Sequence, residues 1–192
     1  MNGSGLEGLN CVKVTTRVAK RNYGLSSMDR YRDGYHLPID RIWVEAEDGF
    51  FAKDQMQWCL RKVSNHIHQN IRITNKSKGV DIASQDPVLL RFYRLIHHQR
   101  ELNGGEWLST VWISEATSPE NRKTTDVVKL CDIKVRIDTP FDLLPSHSNR
   151  AGKSYRKVAF DIEMTCSGAE LKFAAIIDGY RQPTQNVEAL FS

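Results

Sequence analysis

"YRKVAFDIEMTCSGAELKFAAIIDG", residues 155–179, decides the fold class. Val158, Phe160, Ile162, Met164 and Cys166 alternate with Lys157, Asp161, Glu163 and Thr165, which is the two-residue period of a strand with one buried and one wet face. Ser167 and Gly168 then supply the backbone freedom of a tight reversal. Beyond them Leu171, Phe173, Ala175 and Ile177 alternate with Lys172, Ala174 and Asp178. The stretch reads as an antiparallel hairpin that must lay its apolar face on another layer.

The same period recurs upstream. In "DVVKLCDIKVRID", residues 126–138, Cys131, Ile133, Val135 and Ile137 point one way while Asp132, Lys134, Arg136 and Asp138 point the other. The Pro, Ser, Asn and Gly-rich stretch 139–154 reads as a loop, as does "TSPENRKTT", 117–125. "EWLSTVWISEA", 106–116, sets Trp107, Val111 and Ile113 on one strand face. "DPVLLRFYRLIHHQREL", 86–102, is ambiguous. Asp86 as cap, Pro87 in the first turn and Leu89, Phe92, Tyr93 and Ile96 at helical spacing predict a helix, whereas the Phe-Tyr content and the all-β surroundings favour a strand.

Nearer the N-terminus, "HIHQNIRIT", 66–74, offers Ile67, Ile71 and Ile73 as a strand face. "DQMQWCLRKV", 54–63, puts Met56, Trp58 and Leu60 on one face, and "IDRIWVEAEDGFF", 39–51, reads as a strand ending at the Asp48-Gly49 turn. "NYGLSSMDRYRDGYHLP", 22–38, is broken by Gly24, Gly34 and Pro38 and reads as a loop, preceded by an extended segment with Val12, Val14, Thr16 and Val18 alternating. About seven or eight short strands, each with one apolar face, predict an all-β, two-sheet antiparallel β-sandwich over residues 36–192, with residues 1–35 as an N-terminal arm.

Composition agrees with one such core. The chain has 192 residues and is 40% hydrophobic, enough for a single domain plus a short arm. Its apolar runs are far shorter than the roughly 20 residues of a membrane span, and the N-terminus lacks a signal-peptide core. A soluble, cytoplasmic protein is expected. Cys11, Cys59, Cys131 and Cys166 are scattered without a C-x-x-C pair, which fits reduced thiols. The net charge of +4 is unevenly placed, because Lys13, Arg17, Lys20, Arg21, Arg30 and Arg32 face only Asp29 in their stretch. Such a segment is either an anion-binding arm or a solvated linker.

Catalytic and cofactor signatures are missing from the sequence. His66 and His68 share a strand face and His97 is followed by His98, but a zinc site needs three or four ligands, and no carboxylate or cysteine stands at ligand spacing beside them. There is no G-x-S-x-G, and neither Gly3-Ser4-Gly5 nor Gly104-Gly105 continues into a phosphate-cradling motif. Trp43, Trp58, Trp107 and Trp112 read either as groove lining or as core and edge filler.

The succession "KRNYGL" (20–25), "DQMQWCLRK" (54–62), "RFYR" (91–94), "VVKLCDIKVRID" (127–138) and the terminal hairpin resembles the C-terminal region of divergent, fungal-type members of the 70-kilodalton heat-shock protein family. In such proteins an actin-like ATPase leads through an arginine-rich Tyr-Gly segment into a β-sandwich related to the chaperone's substrate-binding domain. Phe160, Asp161 and Ile162, followed by Gly168 and Leu171, stand where those relatives carry Phe-Asp-Ile-Asp, a turn and Gly-Ile-Leu. Two departures matter. The ATPase phosphate loops are absent, and Val63-Ser64-Asn65 replaces the usual Gly-Asp turn.

The resemblance implies a strand at 88–96, a 1–35 arm that is the remnant of the ATPase connection, and a non-enzymatic module that needs no ATP or other cofactor. It also implies unfolded or extended apolar peptide segments as ligands, held by main-chain hydrogen bonds and an apolar pocket, with a separate ATPase or co-chaperone as a further partner. Phe50 and Phe51, on the loop Asp48–Phe51, and nearby Met56 are the pocket candidates. Two other readings stand beside it. One is an anionic-ligand binder, of nucleic acid or membrane surface, through Lys13, Arg17, Lys20, Arg21, Arg30 and Arg32; nucleic acid is the less expected partner. The other is a structural remnant with no ligand of its own.

Overall fold

The computed structural model describes residues 20–62, 87–167, 170–183 and 185–188. Eleven strands lie in this range: β1 Asn22–Arg30, β2 Arg41–Val44, β3 Gly49–Leu60, β4 Val88–Ile96, β5 Glu106–Ser114, β6 Val128–Arg136, β7 Ser146–Ser148, β8 Ser154–Ser167, β9 Glu170–Ile177, β10 Tyr180–Arg181 and β11 Gln185–Glu188. The surplus over the expected seven or eight comes from short pieces such as β7 and β10. One sheet has the order β2-β3-β1-β5-β6; the other runs β10-β9-β8-β4, with β11 also on β9 and β7 on β8. All pairings are antiparallel. The expected two-sheet all-β architecture is present.

One core joins the sheets. Tyr23, Leu25, Val111, Ile133 and Val135 from the first pack with Val158, Ile162, Leu171 and Phe173 from the second. Val158, Phe160, Ile162, Met164, Leu171, Phe173, Ala175 and Ile177 of β8 and β9 are buried as the alternation selects, while Ala174, which the alternation puts on the wet face, is buried as well.

Two expectations are corrected and one open alternative is decided. Residues 22–30 are not loop but β1, an inner strand hydrogen-bonded to β3 and β5. Gly24 sits there because its neighbour is too close for a side chain: a Cβ would lie 2.6 Å from the Gln57 carbonyl oxygen and 2.9 Å from the Trp58 ring. At residues 88–96, where local rules predict a helix and the all-β surroundings a strand, the strand forms. Pairing with β8 along the whole segment, from Val88 opposite Met164 to Ile96 opposite Arg156, overrides the Asp-Pro start signal. Finally, Phe50 and Phe51 lie within β3 rather than on a loop, because the turn before it is made by the 3-10 segment Glu45–Glu47 and by Asp48 in the left-handed region.

A smaller difference follows from a register shift of β3 against β1 between Tyr23 and Gly24. Met56 and Trp58 pack under the 115–127 loop with Val127 and Trp112, whereas Leu60 joins Cys59 in the main core. That loop is fastened down: Trp58 Nε1 donates to the Glu120 carbonyl at 2.8 Å, and the Lys123 amide donates to the Asp54 carbonyl at 2.7 Å.

Burial pushes the Cys59 thiol up to about 12, so little thiolate exists near neutrality and the group is unreactive while the fold is intact. Iodoacetamide at pH 8 is expected to leave Cys59 unmodified until denaturant is added, as read by peptide mass spectrometry. Labelling of the native chain at the unfolded rate would contradict this packing. The expected extended segment over 12–18 and strand over 66–74 lie outside the described residues, as do Cys11 and the Cys166 side chain. No helix among the described residues is long and apolar enough to cross a membrane.

Candidate functional site

Strand β4 pairs with β8 on one side and, among the described residues, with no strand on the other. Beside it the two sheets part, leaving a cleft of about 780 Å³ between β4 and the β1, β3 and β5 strands. Its apolar wall is aromatic. Phe92 stacks on Phe160 with ring centroids 5.7 Å apart, and Trp107 meets Phe160 edge-on at 5.3 Å. Arg94 lies 5.3 Å from the Trp107 ring centre, and Leu108, 60% exposed, forms part of the rim. Ser26, Ser27 and Gln57 give the opposite wall a polar strip, with Gln57 Nε2 donating to Ser27 Oγ at 3.1 Å.

Tyr93 spans one end of this cleft by donating its hydroxyl to Glu47 Oε1 at 2.6 Å. Partial burial and the Glu47 carboxylate push the phenol up to about 12. It therefore stays a protonated donor across the working pH range.

A second recess, of about 790 Å³, adjoins the first; the two share Met28, Glu47, Phe51 and Tyr93. Arg30, Arg32 and Arg41 surround it together with Asp29 and Asp33. The Arg41 guanidinium lies 3.7 Å above the Phe50 ring and 5.2 Å from Tyr31, and Arg32 sits 4.1 Å over Tyr35. Aromatic faces thus hold two of these cations in place. Among the described residues none of the three arginines has a carboxylate ion-pair partner.

The pocket candidates from the sequence are only partly brought together. Phe51 lines both recesses, Phe50 lines the second and packs edge-on against Trp43 at 5.0 Å, and Met56 lies elsewhere, beneath the 115–127 loop. The basic candidates divide as well. Lys13 and Arg17 lie outside the described residues, Lys20 is exposed, and Arg21 pairs with Glu115 at 2.7 Å. Arg30 ends β1 and Arg32 follows it, roughly 30 Å from Arg21 at about 3.3 Å per residue.

Of the histidines, His97 Nδ1 lies 2.9 Å from the Ser154 carbonyl, while His98 caps the 3-10 turn Gln99–Gly105. No group of three metal-ligating side chains occurs among the described residues; His66 and His68 fall outside them. Of the tryptophans, only Trp107 lines the cleft. Arg41, Phe92, Tyr93 and Leu108 were not singled out from the sequence as site residues. For Tyr93 and Leu108 the signal is an apolar side chain on the wet face of a strand, 46% and 60% exposed; Arg41 and the core-packed Phe92 carry no such signal. Comparisons with protein-family models, with curated proteins and with solved structures find no match.

Proposed function

We propose that this chain is a non-enzymatic module that holds an extended, apolar peptide segment in the cleft beside β4, as the resemblance to the 70-kilodalton heat-shock family implies. The observation that carries this reading is an aromatic-walled cleft running along a strand whose outer edge has no partner among the described residues. An extended ligand there would gain main-chain hydrogen bonds from β4 and apolar contacts from Phe51, Phe92 and Trp107. Its specificity would rest on side-chain shape, so one cleft would accept several apolar sequences.

The test is fluorescence anisotropy of the purified chain with a labelled, uncharged, extended apolar peptide at low and high salt. Binding is expected to be nearly salt-insensitive, because apolar and main-chain contacts are not screened. Leu108→Glu alters the exposed rim without touching the core, and is expected to weaken binding about tenfold or more, the effect of about 1.4 kcal/mol. Salt-sensitive binding of an oligonucleotide with none of the peptide would instead place the activity in the basic segment 13–32.

A further inference from the structure

We infer that the preferred ligand carries a carboxylate just beyond its apolar segment, and that Arg30 and Arg41 receive it in the adjoining recess. This inference rests on the peptide reading and names the ligand's chemistry more narrowly. Its basis is the continuity of the two depressions. A chain lying along β4 reaches the boundary formed by Phe51, Glu47 and Tyr93 and passes directly into the space ringed by arginines.

Those arginines suit a single carboxylate. Arg41 is held over Phe50 and Tyr31, so its planar fork is already ordered and loses little freedom when it binds. An arginine without an ion partner gains a charge-assisted, bidentate contact from a carboxylate. A polyanion is a poorer match. Asp29, Asp33 and Glu47 line the same recess and balance Arg30, Arg32 and Arg41 in formal charge, so no strong positive field extends outward to gather a phosphate backbone. The recess selects by local geometry. Glu47 is engaged by Tyr93, and Asp29 accepts from Ser27 Oγ at 3.3 Å, so both carboxylates already have hydrogen-bond donors.

The experiment compares three labelled peptides that share one uncharged apolar core: one ending in neutral residues, one with a single Glu after the core, and one with a single Lys there. Wild-type chain is expected to bind the Glu peptide about tenfold more tightly than the neutral one, and the Lys peptide no better than the neutral one. Added salt should shrink the Glu preference towards parity. In Arg41→Gln the Glu preference should largely vanish while affinity for the neutral peptide stays within about twofold. Equal binding of all three peptides by the wild-type chain overturns the inference and leaves the peptide reading standing. Tighter binding of the Lys peptide also overturns it. Failure to bind any of them overturns the peptide reading, and this inference with it. The three-peptide comparison needs no variant, so it decides the matter even if Arg41→Gln folds poorly.

Discussion

Phe173→Ala is expected to lower unfolding stability by about 3–5 kcal/mol, the usual range for deleting a fully buried aromatic ring. Phe173 is 0% exposed and lies in the middle of β9, opposite Met164 of β8 and Gln185 of β11. It belongs to the single cluster that contains Leu25 and Val135 of the other sheet, so the void would open in the core that joins the sheets. Sheets held at fixed strand spacing collapse poorly around a lost ring, which places the cost at the high end for its type. A domain of this size has about 5–15 kcal/mol to lose, so the variant is expected to be only marginally folded. Urea unfolding followed by tryptophan fluorescence measures the change. A single transition shifted to lower urea is the expected result; a loss below about 1 kcal/mol would mean that the two sheets do not share this core.

That core was legible in the sequence because its strands bury one face and wet the other. Val158 to Met164 and Ile133 to Ile137 announce themselves by period alone, and each is buried where the alternation puts it. β1 was not legible for the opposite reason. Asn22, Tyr23, Gly24 and Leu25 are buried in succession, so the start of the strand has no wet face to generate a period. The residues that mark it as inner also imitate a loop. Asn22 donates to the carbonyls of Ser114 and Ala116 at 3.0 and 2.8 Å and accepts from the Lys62 amide at 2.8 Å, tying three segments whose separation in sequence hides the role. Gly24 signals a turn in isolation and a close strand approach in the fold.

Of the candidate site, the aromatic half was partly legible and the arrangement was not. Phe51 stands out as one of two adjacent aromatics, but the cleft depends on β4 standing at a sheet edge among the described residues, and edges are set by strand order. Met56 carries the same chemical signal as Phe51. It is covered by a loop whose attachment, from Trp58 Nε1 to the Glu120 carbonyl, joins residues far apart in the chain.

Arg122→Ala is expected to destabilise the fold by about 2–3 kcal/mol at neutral pH. The Arg122 guanidinium donates through Nε and Nη2 to both oxygens of Asp40, at 2.8 and 2.9 Å, and Asp40 is 2% exposed. Removing one partner of a buried pair leaves the other charge uncompensated, at a cost of about 3–5 kcal/mol when the pair is deep. Here the arginine side chain remains 29% exposed, so its removal admits water to the carboxylate and reduces the cost. The pair also pins the 115–127 loop to the 3-10 turn Pro38–Asp40, so the same substitution should loosen the cover over Met56 and Trp58. The pH dependence has a definite sign. Hydrogen bonds from Arg122, reinforced by its charge, hold the Asp40 carboxyl below the ordinary value of 3.8. A depressed carboxyl contributes its full stability above the unfolded value and loses it as pH falls through the folded one. The gap between wild type and Arg122→Ala should therefore be constant from pH 6 to 8 and close progressively below about 3.8. Asp126 and Asp132 are also held low by their own hydrogen bonds, so acid weakens both proteins; only the difference between them isolates Asp40. Urea midpoints at a series of pH values, with Asp40→Asn and the double variant completing the cycle, measure it. A gap that persists undiminished at pH 3 would mean that Arg122 acts through packing of the loop and not through its charge on Asp40.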